Sequence, residues 1–108
     1  MVTINADSIT DSQTFHSVFA EAFGFPDFYG KNLNAWIDCL TYLDEPDAGM
    51  STVHVLPGQT LTLAIENAKS FKERCPDLFM ALVECVAFVN WRRIDTGDSS
   101  VLTLAFYT

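Results

Sequence analysis

Few side chains in this sequence are spaced to do chemistry, and the one with the most informative setting is Asp38, in the run FPDFYGKNLNAWIDCLTYL at residues 25–43. A carboxylate on a helix works as a general acid or base only with a second group beside it, and the residue one turn earlier is Asn34. His16 and His54 are isolated; no carboxylate or nucleophile has a clear spacing to His16, and both are expected at the surface. Cys39, Cys75 and Cys85 are far apart, and neither CxxC nor CxxH occurs. Cys39 and Cys85 lie in apolar helical surroundings and read as small core residues. The glycine-rich dinucleotide fingerprint, the P-loop and the nucleophile elbow are missing. We therefore expect no catalytic residue, no metal site and no cofactor. What Asp38 can do is recognise, because a carboxylate accepts charge-assisted, bidentate hydrogen bonds from a cation.

The elements that would position Asp38 are a loop and a helix. Pro26 fixes one φ and Gly30 permits a positive one, so FPDFYG should be a tight loop. Asn32 is placed to cap the helix that follows. At about 100° per residue, Leu33, Trp36, Leu40 and Leu43 share one side. Asn34, Asp38 and Thr41 share the far side, with Ile37 on the border. The polar stripe faces either water or a partner. Phe28 and Tyr29 in the loop, with Ile37, would set apolar bodies beside the carboxylate, as binding surfaces do.

The run FYGKNLNAWIDCLT resembles the signature of the barstar family, the intracellular inhibitors of secreted bacterial ribonucleases. The resemblance implies a parallel sheet packed with helices and an active-site plug made of the loop and helix. The aspartate matching Asp38 would occupy a phosphate position among the partner's cations. Tyr29, Gly30, Asn32, Leu33, Asp38 and Cys39 keep the family pattern; Leu33 and Cys39 read as structural, and Asn32 as cap, contact or both. Gly30 would let the partner approach the loop backbone. Five positions depart from the pattern. Phe28 stands for a tyrosine, Lys31 and Asn34 for acidic residues, Ile37 for an aromatic and Leu43 for a tryptophan. The expected contact set is Phe28, Tyr29, Gly30, Asn32, Asn34, Ile37, Asp38, Thr41, Tyr42 and Leu43, joined by Glu84 from a later helix.

Charge agrees with such a role. The 108 residues carry a net charge of −8, and residues 1–68 hold nine acids against one base, Lys31. Residues 69–108 hold five of each. An acidic patch repels nucleic acid and attracts basic partners, though it also serves plain solubility. MVTINADS has neither a basic n-region nor an apolar h-region, and no apolar run reaches the about 18 residues of a membrane span. A cytoplasmic protein with reduced thiols is expected.

The rest of the chain reads as one domain, 1–108, of α/β class. VTINA (2–6) reads as a strand. Thr10 and Gln13 could form a capping box before a helix bearing Phe15, Val18, Phe19, Ala22 and Phe23, which Gly24 ends. Residues 52–56 and 61–65 look like a hairpin joined through Pro57-Gly58. Its first arm would be an insertion relative to the family pattern. Residues 67–75 read as a short helix, Pro76 starts another, and 101–107 is the last strand. Arg92 and Arg93 would complement the C-terminus of that long helix. The expected fold is a small three-stranded parallel sheet packed with about four helices, extended by one antiparallel edge strand at 52–56. Met80, Glu84 and Trp91 fall on the least apolar stripe of the long helix.

Two functions fit. The first is a barstar-like inhibitor or immunity protein that blocks a basic secreted ribonuclease or nuclease toxin domain. The alternative is a non-catalytic oligomeric domain, a weak homodimer, using Met80, Glu84 and Trp91.

Overall fold

The computed structural model describes all of residues 1–108. Three strands, β1 (Val2–Asn5), β2 (Leu61–Glu66) and β3 (Leu102–Phe106), form a parallel sheet with β2 in the centre. Val2 pairs with Leu63, and Leu63 with Leu104, so the register lines up Val2, Leu63 and Leu104 on one face. Ile4, Ile65 and Phe106 align there too. Thr3, Ala64 and Ala105 alternate onto the other face. Helices α1 (Ser12–Phe23), α2 (Leu33–Thr41), α3 (Ala68–Arg74) and α4 (Pro76–Asp95) complete the α/β fold that the alternation of strand and helix signals predicted. No helix is long and apolar enough to cross a membrane.

The core joins Ile4, Leu63 and Ile65 of the sheet to Phe15, Phe19 and Phe23 of α1, Trp36 and Leu40 of α2, and Leu82, Val86 and Val89 of α4. Trp36 packs edge-on to Phe19, with ring centroids 5.5 Å apart. Its buried Nε1 has no hydrogen-bond partner, so ring packing rather than the indole N–H fixes its place.

Two local readings are corrected. The cap of α1 is Asp11, whose Oδ1 accepts from the Thr14 backbone N–H at 2.8 Å; Thr14 Oγ1 accepts in return from the Asp11 N–H at 3.0 Å. With Asp11 rather than Thr10 as the cap, the third helical position is Thr14 and Gln13 falls one residue short of it. The 52–56 segment is extended but pairs with no strand. Its N–H groups go to helix ends instead: Thr52 to the Phe23 carbonyl at 2.8 Å and Val55 to the Leu43 carbonyl at 3.0 Å. Carbonyls at and just beyond a helix C-terminus lack intrahelical partners, and satisfying them replaces the expected antiparallel ladder. His54 lies exposed on this segment. Gly24 makes the approach possible: its φ is +62°, and a Cβ there would lie 2.1 Å from Thr52 Oγ1.

Arg93 lies in the last turn of α4, as the sequence suggested, and does more there than complement the helix end. It is 4% exposed and turned towards α2. Its guanidinium donates to the Thr41 carbonyl at 2.7 Å, to the Ser99 carbonyl at 2.8 Å and to both Asp44 oxygens at 3.0 and 2.7 Å. The hydrogen bonds and charge of Arg93 hold the Asp44 carboxyl below its ordinary range. This fork fixes α4 against the C-terminal end of α2.

Candidate functional site

The loop before α2 is folded by its own backbone and by rings. The Tyr29 N–H donates to the Pro26 carbonyl at 2.8 Å, closing a turn. The Tyr29 ring lies 4.7 Å from that of Phe25, which stacks in turn on Phe23. Tyr29 is half-buried, and its hydroxyl is hydrogen-bonded to His16 Nδ1. His16 is therefore not a surface residue: it is 2% exposed. Burial lowers the imidazole's affinity for a proton and raises that of the Tyr29 phenolate, so both are neutral near pH 7. Phe28 projects into solvent, 75% exposed.

The left-handed residue of the loop is Lys31, at φ +52°, not Gly30, whose φ is not in that region. Asn32 then begins the helix. Its Oδ1 accepts from the Ala35 N–H at 2.8 Å and its Nδ2 donates to the Gly30 carbonyl at 3.3 Å. Both ends of the amide are thus engaged within the chain, and the cap role is realised.

On α2, Asn34 is exposed and Ile37 and Asp38 are half-exposed. Thr41 leaves the expected polar stripe. It is buried, and its hydroxyl donates to the Ile37 carbonyl at 2.6 Å. The α4 side of the helix covers it, as the Arg93 bond to its carbonyl shows. Leu43 is fully buried in the core and cannot contact a partner; Tyr42, at the helix end, is half-buried. Glu84 lies exposed on α4 with no ion pair.

The structure adds a residue that periodicity missed. Arg92 Nη1 donates to Asp38 Oδ1 at 2.7 Å, with the two side chains 37% and 51% exposed. Nothing within a single helix signals this pair, because it forms only when α4 packs on α2. Oδ2 of Asp38 accepts no hydrogen bond within the chain. A half-exposed pair of this kind contributes about 0.2–1 kcal/mol to stability and yields easily to a better partner.

The thiols offer little nucleophilic chemistry. Cys39 is buried and its pKa is pushed up to about 11, first by burial and then by the neighbouring Asp38 charge. Burial likewise raises Cys85. Thiols held so far above neutrality stay protonated and react slowly.

The arrangement is thus a rigid loop and capped helix presenting one aromatic ring and one carboxylate to the outside. No curated protein matches the chain. The family model described as Barstar (barnase inhibitor) matches residues 1–103, nearly the whole length and all of the loop and helix just described. This chain belongs to the barstar family.

Proposed function

We propose that this chain is an inhibitor of a basic ribonuclease or nuclease toxin domain, acting by insertion of the 25–32 loop and the exposed side of α2 into the nuclease active site. The observation that carries this reading is Asp38: a half-exposed carboxylate with Oδ2 free, held on a capped helix, in a chain of a family of barnase inhibitors. A site that cleaves RNA must hold phosphate, so it concentrates Arg, Lys and His. A carboxylate seated among them takes the place of the phosphate, and exclusion of water by Phe28, Ile37 and their neighbours strengthens the pairing. Asn34, Tyr42 and Glu84 fit the rim of this surface, and Tyr29 and Asn32 act mainly by shaping it. The chain itself is non-catalytic in this reading and works in the cytoplasm, where its three free cysteines stay reduced. The test is inhibition of a nuclease encoded beside the gene for this chain. Stoichiometric loss of RNA cleavage supports the reading.

A second reading rests on one observation. Met80, Glu84, Phe88, Trp91 and Ile94 form an exposed, largely apolar stripe along α4. Self-association through that stripe would persist at high salt, whereas steered binding of a basic partner weakens. Sedimentation velocity over a range of protein and salt concentrations separates the two.

A further inference from the structure

We propose that Arg92 is a specificity-determining residue: in the free chain it stands on Asp38 as an internal cation, and a nuclease docks by taking the carboxylate from it. The proposal rests on the inhibitor reading above and goes beyond it, because it concerns which nucleases can be bound.

The geometry gives three reasons. First, the Arg92–Asp38 contact is one hydrogen bond, Nη1 to Oδ1, with no other acceptor for this guanidinium within the chain. Arg93, next to it, shows the contrast, since four hydrogen bonds fix its guanidinium in place. Arg92 is therefore held weakly and Arg93 firmly, and only the first can be displaced at small cost. Second, an arginine from a partner can grip both carboxylate oxygens in parallel, whereas Arg92 grips one. A lysine offers a point charge without that fork. The internal cation thus favours partners whose phosphate site is built on arginine over those built on lysine alone. Third, Arg92 is a positive charge on the face that must enter a positive cleft. With Lys31 in the preceding loop it makes two cations on a face whose acids are Asp27, Asp38 and Glu84. The acidic chain still draws a basic cleft in, but Arg92 opposes the cleft's cations locally until it swings aside, which suppresses binding to sites that cannot compensate.

The experiment is calorimetric titration of a purified barnase-type ribonuclease into wild type, R92Q, R92K, D38A and the R92Q/D38A double variant, at low and at physiological salt. Arg92 is partly exposed and makes one contact, so both single Arg92 variants should fold; their thermal midpoints are measured alongside. The expected result is that R92Q binds about tenfold more tightly than wild type, since a competing pair and a like charge are removed together. R92K, which keeps the charge, should stay close to wild type. In the D38A background R92Q should lose most of that gain, because the competition is for the carboxylate. Unchanged or weaker binding by R92Q, with D38A still costing affinity, overturns the proposal and leaves the inhibitor reading standing. Equal binding by wild type, R92Q and D38A overturns the inhibitor face and the proposal with it. Absence of binding by every variant also overturns the proposal, since removing the internal cation then unmasks nothing.

Discussion

The Tyr29 hydroxyl is hydrogen-bonded to Nδ1 of His16, a residue thirteen positions earlier and buried in α1. The loop that presents Phe28 is therefore anchored to the core by a titratable side chain. Burial of that imidazole makes the stability of the domain sensitive to mild acid.

Burial holds the His16 proton affinity below its ordinary value, so the folded chain resists protonation where the unfolded chain accepts it. As pH falls through the unfolded value of about 6.5, the unfolded state binds more protons and the folded state loses stability. The loss runs from that pH down to the lower folded value. Urea unfolding at a series of pH values from about 7.5 to 5.5, where carboxylates remain ionised, should show a falling midpoint for wild type. His16→Gln should flatten the slope, and a slope unchanged in that variant would remove His16 as its cause.

Asp44 follows the same sign in a lower pH window. Its carboxyl is held low by Arg93, so its contribution is present above the ordinary carboxylate value and is lost as pH falls through the folded one. Asp44→Ala strands the buried Arg93 and should destabilise the fold by about 3–5 kcal/mol, while Glu45→Ala, at an exposed neighbour, should stay within about 0.5 kcal/mol. Denaturant titration measures both. Paired with the buried Arg93, Asp44 is an internal strut.

Lys31 holds a left-handed φ of +52° that glycine adopts without strain. Lys31→Gly should then stabilise the domain or leave it unchanged, despite the greater freedom glycine gives the unfolded chain, with an expected gain of about 0.5–1 kcal/mol from relieved strain. A loss of more than about 1 kcal/mol on denaturant unfolding would mean that the lysine side chain contributes contacts in solution.

Charge at the same loop is separable from strain. Lys31→Glu with Asn34→Asp restores the acidic pattern typical of the family while leaving the loop backbone demand in place. Affinity for a barnase-type ribonuclease should rise, by roughly 1 kcal/mol per restored charge on a wet rim, and the gain should shrink as salt is added. Isothermal titration at two salt concentrations reads this directly.

Local chemistry explains what the sequence disclosed. The Leu33, Trp36, Leu40 stripe, the Asn32 cap, the Gly24 stop and Pro76 at the start of α4 are all set by residues within a turn or two of each other. They were legible for that reason. Contacts across the fold were not. Thr41 reads as polar surface until α4 covers it, and His16 reads as exposed until the Tyr29 hydroxyl meets it. Residues 52–56 have the composition of a strand, yet carbonyls at the ends of α1 and α2 take their N–H groups. Arg92 reads as a cation at the end of α4, but its pairing with Asp38 carried no signal, because that partner lies 54 positions away on another helix.

The proposed inhibition of a nuclease site rests on Asp38. A direct test is inhibition of RNA cleavage by a basic ribonuclease, such as any encoded beside the gene for this chain, titrated with wild type and with Asp38→Ala. Wild type should inhibit tightly and the variant should lose several kcal/mol, at least about a thousandfold in inhibition constant, the barstar aspartate being a known instance of an extreme hot spot. The unfolding midpoint should barely move, since Asp38 makes one half-exposed pair. Equal inhibition by the two proteins, or undiminished cleavage in the presence of wild type, would contradict the proposed inhibition.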